Sequence, residues 1–392
     1  MRTLGRLFAL GALVSLPGGA AAGQSVLAAG GLGMPIDPVD ARGRSLGSVG
    51  VGLFGTGLMP GDPVGAVDLA VPTITMTLQS VWLELREGTD ANTVEGNRFP
   101  ALGVSYPVSE RGVVTLTYGG VFDQHWTQER PDTLHLEGNA VLPVVDRFTS
   151  DGGVSAARLG YAHRLSPRFA VGAAVGLFTG SSARLFTRTF DTLTVDVDIA
   201  AFANSGRWSY SGTILTVGAL ADIDDVVRAA GSFTWFGALE AEPRHGTEGV
   251  TRSYDMPLEF RAGVSARLAT ELSAALSLAW ADWSGTGEDL ATGSAGSTLA
   301  FGAGVEWEGA TLFGKGLPLR AGWRRSELPF EVFGASASES GPNLGVGLLL
   351  LERADGLPLA SMDFGAERGS RSVGPVTEHY WRSTLSFRVA GF

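Results

Sequence analysis

The chain has 392 residues, with 56 glycines, no cysteine and a formal net charge of -11. The absence of cysteine excludes a disulfide scaffold, zinc-thiolate sites, iron-sulfur clusters and a lipoprotein anchor. Basic residues are scattered rather than clustered, so no nucleic-acid partner is expected. Glycine is unfavourable inside helices, and its abundance favours an all-β chain with many turns.

The N-terminus has the features of a secretory signal peptide. Arg2 and Arg6 form a short basic region, an apolar run covers residues 7–16, and small residues occupy 20–22. We therefore predict a cleaved signal peptide at 1–22 and an exported mature protein. The apolar run is too short for a comfortable membrane-spanning helix, and no later stretch reaches about 18 apolar residues.

The next segment, residues 23–71, is irregular and rich in glycine and proline. It nevertheless contains apolar side chains that require burial, so it is expected to fold rather than to be a flexible tail. A long segment of this kind inside a compact chain is usually functional. These apolar residues include Leu32, Met34, Ile36, Phe54, Leu58 and Met59.

From residue 72 to residue 392 the sequence predicts about fourteen β-strands. The clearest is the stretch 258–268, where apolar residues alternate with polar or small ones at a period of two. Such strands reach the length of about ten residues that a tilted strand needs to cross a bilayer. Charged residues fall on the polar phase and are predicted to line a hydrated lumen. We single out Glu259, Arg261, Glu306, Arg320 and Arg324.

The connections between these strands indicate how they are arranged. Short turns, such as 109–111 and 166–167, alternate with longer connections, such as 127–152, 327–341 and 368–379. This parity is typical of a transmembrane antiparallel β-barrel with an even number of strands. A secreted β-sandwich or propeller is the alternative. The tryptophans favour the barrel, because they lie near strand ends as an interfacial girdle would. They are Trp235, Trp280, Trp283, Trp307, Trp323 and Trp381.

Nothing in the sequence indicates an enzyme. The five histidines are dispersed and show no paired metal-ligand spacing. The glycines in the predicted strands form no phosphate-binding loop, and small inward residues in strands make room for a plug or a ligand. We therefore predict no catalytic residues, no cofactor and no metal site.

Four stretches resemble the FadL-type family of outer-membrane transporters for long-chain fatty acids and aromatic hydrocarbons. They are the glycine-rich stretch 41–53, the early strand 99–107, the late strand 319–330 and the pattern at 363–369. The resemblance implies a fourteen-stranded barrel closed by an N-terminal hatch at 23–71. The family often has an Asn-Pro-Ala element in the hatch, where this chain has Asp62-Pro63-Val64.

The resemblance also implies a function. The protein would be a channel in the bacterial outer membrane for passive uptake of long-chain fatty acids or hydrocarbons. It would lie in the lipid bilayer beside lipopolysaccharide, after insertion by the barrel-assembly machinery. The apolar hatch residues named above would contact a small apolar ligand, or they would only pack the hatch against the wall. Two alternatives remain: a barrel scaffold for a protein partner in secretion or attachment, and a general polar porin.

Overall fold

The computed structural model describes residues 32–391 except 56, 88–89, 136–140, 191–201, 287–295, 333–334, 355 and 374–375. The predicted signal peptide at 1–22 therefore lies outside the described residues. Among the described residues, no helix has the length and apolar character that crossing a membrane requires.

Fourteen strands form a closed antiparallel barrel. Each strand pairs with the next one, and β14 pairs with β1 to complete the ring. The strands are β1 (Thr73–Glu87), β2 (Asp90–Ser109), β3 (Gly112–Asp123), β4 (Val141–Ser166), β5 (Phe169–Phe190), β6 (Thr213–Asp222), β7 (Val227–Phe236), β8 (Leu258–Ala269), β9 (Leu272–Asp282), β10 (Ser297–Trp307), β11 (Leu319–Val332), β12 (Ala335–Glu352), β13 (Pro358–Val373) and β14 (Val376–Ala390). The predicted all-β barrel and its strand number are confirmed.

The alternation read from the sequence sets the two faces of the wall. In β8, Phe260 and Val264 are each 42% exposed on the outside of the barrel. Glu306, on the polar phase of β10, is only 2% exposed. Successive side chains of a strand point to opposite faces, so an apolar exterior requires the polar residues to point inward.

The two ends of the barrel differ. The short-turn end carries tight connections, such as 110–111 between β2 and β3. It also carries a separate two-stranded ladder of two residues each, Thr311–Leu312 with Lys315–Gly316. At the other end, called here the hairpin end, the strands continue well past the lengths that the sequence indicated. Further strands cover this end: Trp126–His135, Phe202–Ser211, Leu239–Pro243 and Arg252–Tyr254.

The prediction of long loops at 327–341 and 368–379 is wrong. β11 continues to Val332 and pairs with β12 from Ala335, while β13 and β14 pair up to Val373 and Val376. Leu328 in the first of these stretches is apolar but buried. The stretches lack the continuous outward apolar face that marked the strands in the sequence. A β-ladder outside the bilayer does not need one, because water can solvate both of its faces.

Most of the tryptophans lie as an interfacial girdle requires. Trp235, Trp307, Trp323 and Trp381 are exposed on the outside of the wall, and so is Trp280. Trp283 is the exception: it follows the end of β9 and packs against the inward ring of Phe122, with ring centroids 6.1 Å apart. A position near a strand end therefore does not tell whether a tryptophan faces the outside of the wall or the lumen.

The segment 32–72 packs against the inward face of the barrel wall. It contains the strand Met34–Pro35, the helix α1 (Ala41–Ser45) and a 3-10 turn at Gly65–Asp68. Asp40 caps α1 by accepting a hydrogen bond from the Gly43 N–H at 2.7 Å. After α1 the chain turns at Gly47, whose positive φ of 85° suits glycine.

Glycines in the wall make this close packing possible. A Cβ at Gly302 would overlap the carbonyl oxygen of Gly47, and one at Gly345 would overlap the hydroxyl of Ser45. On other sides of the barrel, Gly172 lies against Pro63 and Gly263 lies against Val51. The segment thus touches the inner wall on several sides.

Candidate functional site

Ion pairs join the N-terminal segment to the wall at three places. Arg42 of α1 pairs with Glu306 at 2.5 Å, and Glu306 also accepts from Arg320 at 2.6 Å. Asp37 accepts from Arg261 of β8 at 2.9 Å. Because these carboxylates are held between arginines, removing one partner would leave a buried charge uncompensated.

The third ion pair lies at the end of the segment. Asp68 pairs with Arg228 at 2.7 Å and also with Arg164. Both arginines pair in turn with Asp222 of β6, so one carboxylate of the segment is tied to three wall strands. These three connections fix the segment against β8, β10 and the region of β4 to β7.

A buried turn separates the first part of the segment from the last. The Asp62 carboxylate accepts from the N–H groups of Val64 and Gly65, at 3.2 and 2.9 Å. Burial raises the pKa of Asp62 to about 6, and backbone hydrogen bonds oppose that shift. Side chains of this type stabilise turns by such local bonds.

The barrel wall is interrupted between β2 and β3. These strands pair only from Ala101 with Gly119 to Ser109 with Gly112. Beyond this point β2 pairs only with β1 among the described residues. The free edge of β3 is taken instead by the N-terminal strand: Met34 and Pro35 pair with the end of β3, and the Ile36 N–H donates to the Val121 carbonyl at 2.9 Å.

Side chains of the N-terminal segment fill this interruption. Ile36 lies against Gly120, just past the last β2–β3 pair, and a Cβ on this glycine would collide with the Ile36 side chain. Leu58 lies in the same way against Gly103, within the paired part of β2. Pro38 and Pro60 both approach Gly119. The wall is therefore completed here by side chains of another segment rather than by a continuous ladder.

A cavity of about 170 Å³ lies beside the interruption. Ile36 and Phe122 border it on that side, and Trp283 and Met256 contribute further apolar surface. The indole N–H of Trp283 donates to the Thr298 hydroxyl at 3.0 Å, so the polar atom of this ring has a partner. Apolar side chains with a few convergent polar groups are typical of a small-molecule site.

The remaining wall of the cavity is charged. It includes Asp37, Glu259, Arg261, Arg324 and Glu339. Arg324 donates to Glu367 at 2.7 Å and also to Glu339, and Arg261 donates to both Asp37 and Glu259. Each of these charges is thus paired, as buried charges require.

A second pocket lies at the hairpin end, on strands that extend above the barrel. It has a volume of about 320 Å³ and is lined by Trp126, Phe148, Phe186 and Trp208. The rings of Phe148 and Phe186 are 4.9 Å apart, and the guanidinium of Arg184 lies 5.8 Å from the Trp208 ring. The aromatic faces offer apolar contact area outside the wall.

No known protein-family model matches the sequence, and no curated protein matches it. Solved structures do match the fold. The CymD monoaromatic hydrocarbon channel matches with a TM-score of 0.57 and 12% identity, over 90% of this chain and 97% of that one. A FadL homologue of Pseudomonas aeruginosa matches with a TM-score of 0.58 and 11% identity, over 92% and 99% of the two chains.

The toluene transporter TodX of P. putida is also similar, with a TM-score of 0.55 and 9% identity over 91% of this chain and 99% of that one. This chain has the FadL-type fold. The three solved structures are described as a hydrocarbon channel, a FadL homologue and a toluene transporter, and none of them is described as an enzyme. The identities are low, so what is shared is the FadL-type barrel fold.

Within this FadL-type barrel, the six predicted ligand contacts lie in different places. Ile36 alone of the six lines the cavity. Leu32 is buried near Phe122 and Phe178, while Met34 is buried with Leu328. Leu58 packs with Val113 in the wall, and Met59 lies against α1.

Phe54, the sixth, lies at the short-turn end, far from the cavity lining. Its ring is stacked between two guanidinium groups, 4.3 Å from Arg267 and 5.4 Å from Arg228. It lines a separate polar vestibule of about 450 Å³ that opens at this end. The aromatic ring there makes cation–π contacts with the wall.

The five predicted lumen residues of the FadL-type barrel divide between two places. Glu259, Arg261 and Arg324 line the cavity. Glu306 and Arg320 line the vestibule at the short-turn end. All five lie on the inward face.

Several cavity residues were not singled out from the sequence. Phe122 and Val121 lie at the end of β3, Met256 in the connection before β8, and Leu328 in the part of β11 that was read as a loop. No local pattern distinguishes them from other apolar residues of the strands. Among the described residues, no group of three potential ligands could hold a metal ion.

Proposed function

We propose that the protein is a channel for passive uptake of small hydrophobic compounds across the bacterial outer membrane. The observation that carries this proposal is the position of the cavity. It lies between the N-terminal segment and the inner wall of β8 to β11, and it reaches the end of β3 at Val121 and Phe122, beside the place where the β2–β3 ladder is interrupted. Ile36 lines the cavity and also lies against Gly120 at the interruption, so its side chain stands between the two.

The size of the cavity favours a single ring over a long chain. Its volume of about 170 Å³ is close to the roughly 150 Å³ of an apolar protein cavity that holds benzene. A long-chain fatty acid is larger than this volume and would extend beyond the cavity. The FadL-type structures described as a monoaromatic hydrocarbon channel and a toluene transporter support the same substrate class.

The route begins at the aromatic pocket of the hairpin end, which collects apolar solutes from water. It continues to the cavity and leaves through the interruption into the lipid. The N-terminal segment acts as the hatch, because it closes the lumen while its side chains complete the wall. This route keeps the solute out of bulk water, where the hydrophobic effect disfavours it.

We also propose the surroundings in which this channel works. The signal peptide at 1–22 directs export, and the barrel-assembly machinery inserts the chain. The apolar exterior then contacts lipid, and the hairpin end stands among lipopolysaccharide. Lipopolysaccharide resists apolar solutes, which is why a dedicated route is needed.

The test fills the cavity without altering the exterior. Ala300 lines the cavity, whereas Leu299 beside it is exposed on the outside of β10. In cells without another hydrocarbon channel, Ala300→Phe is expected to reduce toluene uptake at least tenfold, while Leu299→Phe leaves it unchanged. Equal uptake by both variants would contradict the proposal.

Two other outcomes would favour the alternatives. A large ion conductance of the wild-type protein in a planar bilayer, without toluene uptake, would indicate a polar porin. A stoichiometric protein partner bound at the hairpin end, without any uptake, would indicate a scaffold. Either result overturns the proposal.

A further inference from the structure

The charged side of the cavity presents mainly carboxylate oxygen. The Asp37 and Glu259 side chains are 27% and 21% exposed, whereas the Arg324 side chain is 6% exposed. Arg261, between the two carboxylates, is 16% exposed. A molecule in the cavity therefore meets the acids before it meets the arginines.

One oxygen of each acid accepts no hydrogen bond from the described residues. Arg261 donates to Glu259 Oε1 and to Asp37 Oδ1, but nothing donates to Glu259 Oε2. Asp37 Oδ2 forms an ion pair with a nitrogen of Arg44 at 3.6 Å, but this distance is too long for a hydrogen bond. Neither of these two oxygens is buried, so each can accept a hydrogen bond from water or from a ligand.

These free oxygens discriminate between ligand classes. A pure hydrocarbon that filled the cavity would remove water from them and give no hydrogen bond in return, which is costly. A carboxylate ligand would add a negative charge next to two others. A neutral hydroxyl would replace the lost water by donating to one oxygen, while its ring contacts Phe122 and Trp283.

We propose that the preferred ligand of the cavity is a neutral single ring that carries one hydroxyl group, with Glu259 and Asp37 as the hydrogen-bond acceptors. This inference rests on the proposed function, since it names the substrate class of the same cavity. A site built to bond a hydroxyl rejects the analogue that lacks it, because its own polar groups are then unpaired. An ammonium group would also donate, but its desolvation is far more costly than that of a hydroxyl.

The test uses three rings of matched shape with the purified full-length protein in detergent: p-cresol, p-xylene and p-toluate. Calorimetric titration is expected to show that p-cresol binds at least as tightly as p-xylene, although p-xylene leaves water more readily. It should show no binding of p-toluate. This panel needs no variant.

Variants then identify the acceptors. Glu259→Leu is expected to weaken p-cresol about tenfold while p-xylene is unchanged or tighter, and Glu259→Gln should lie between. The affinity of each compound is compared between the wild type and the variants. The free energy of transferring that compound out of water is the same in both measurements and therefore cancels. Glu308→Gln, a carboxylate of the separate vestibule, is the control and should leave both affinities unchanged.

The outcomes separate this inference from the proposed function. If none of the rings binds, the proposed function fails and this inference fails with it. If p-xylene binds more tightly than p-cresol and Glu259→Leu leaves their ratio unchanged, only the inference is overturned. Tight binding of p-toluate or of 4-methylbenzylamine in place of p-cresol would also overturn it.

Discussion

The guanidinium of Arg42 lies 2.5 Å from the carboxylate of Glu306, although the two residues are 264 positions apart in the chain. One belongs to the five-residue helix α1 and the other to strand β10. So short a helix has little stability of its own. Its position in the barrel therefore depends on contacts of this kind with the wall.

Breaking this pair should loosen α1 without unfolding the barrel. In Arg42→Leu, Glu306 keeps Arg320 but loses one buried partner, which we expect to lower the local opening free energy by about 3 kcal/mol. Hydrogen exchange of the Leu46 amide should then accelerate about a hundredfold. Mass spectrometry of the purified protein measures this rate.

The control for that experiment is an exposed ion pair of similar chemistry. Arg147 and Glu129 pair on the extended strands, with side chains 58% and 50% exposed. Exposed pairs contribute little to stability, so Arg147→Leu should leave exchange at Leu46 unchanged. If Arg42→Leu behaved in the same way, the pair with Glu306 would not hold the helix in place.

The glycines of β10 should be as important for closing the lumen as the ion pairs. A methyl group at Gly302 collides with the backbone of Gly47, which cannot move without displacing the N-terminal segment. Overpacking of this kind costs about 1–3 kcal/mol. We expect Gly302→Ala to insert normally but to conduct ions in planar bilayers far better than the wild type.

Gly316→Ala is the matched control, because a Cβ at Gly316 would meet nothing within 4 Å. It should keep the low conductance of the wild-type protein. Equal conductance of the two variants would show that the segment does not seal the barrel at Gly302.

Two predicted ligand contacts should respond differently to truncation. Ile36 lines the cavity, so Ile36→Ala removes apolar contact and should weaken binding of a single-ring compound about fivefold. Phe54 lies in the vestibule between Arg228 and Arg267, so Phe54→Ala should change this affinity less than twofold. Calorimetric titration of both purified variants makes the comparison. A larger loss in Phe54→Ala would show that the binding site lies at the short-turn end.

The sequence predicted those features of the fold that depend on local alternation. Phe260 and Glu306 lie on opposite faces because a two-residue period assigns every side chain of a strand. The number of strands was predicted from the same alternation. The extended strands of the hairpin end were missed, since apolar residues do not alternate regularly through 327–341, and the described residues of this stretch are strands only because of their pairing partners.

The site depended on relationships that no local pattern contains. Asp37 meets Arg261 across 224 positions, and Ile36 reaches the gap beside β3 only because β2 and β3 separate there. Trp283 and Trp280 look alike in the sequence, yet Trp283 packs against the inward ring of Phe122 and Trp280 is exposed on the outside. The apolar residues of 32–59 were correctly expected to need burial, but which of them meets a ligand is set by the shape of the whole barrel.

The central claim is that the cavity beside the β2–β3 interruption holds a small aromatic molecule. Anomalous diffraction from crystals soaked with 4-iodotoluene and, separately, with 4-iodophenol tests it most directly, because iodine marks the ligand without reference to function. We predict an iodine peak within the space bounded by Ile36, Phe122 and Trp283, weaker or absent in Ala300→Phe crystals. Iodine found only on the outer surface of the barrel or in the vestibule at Phe54 would contradict the account.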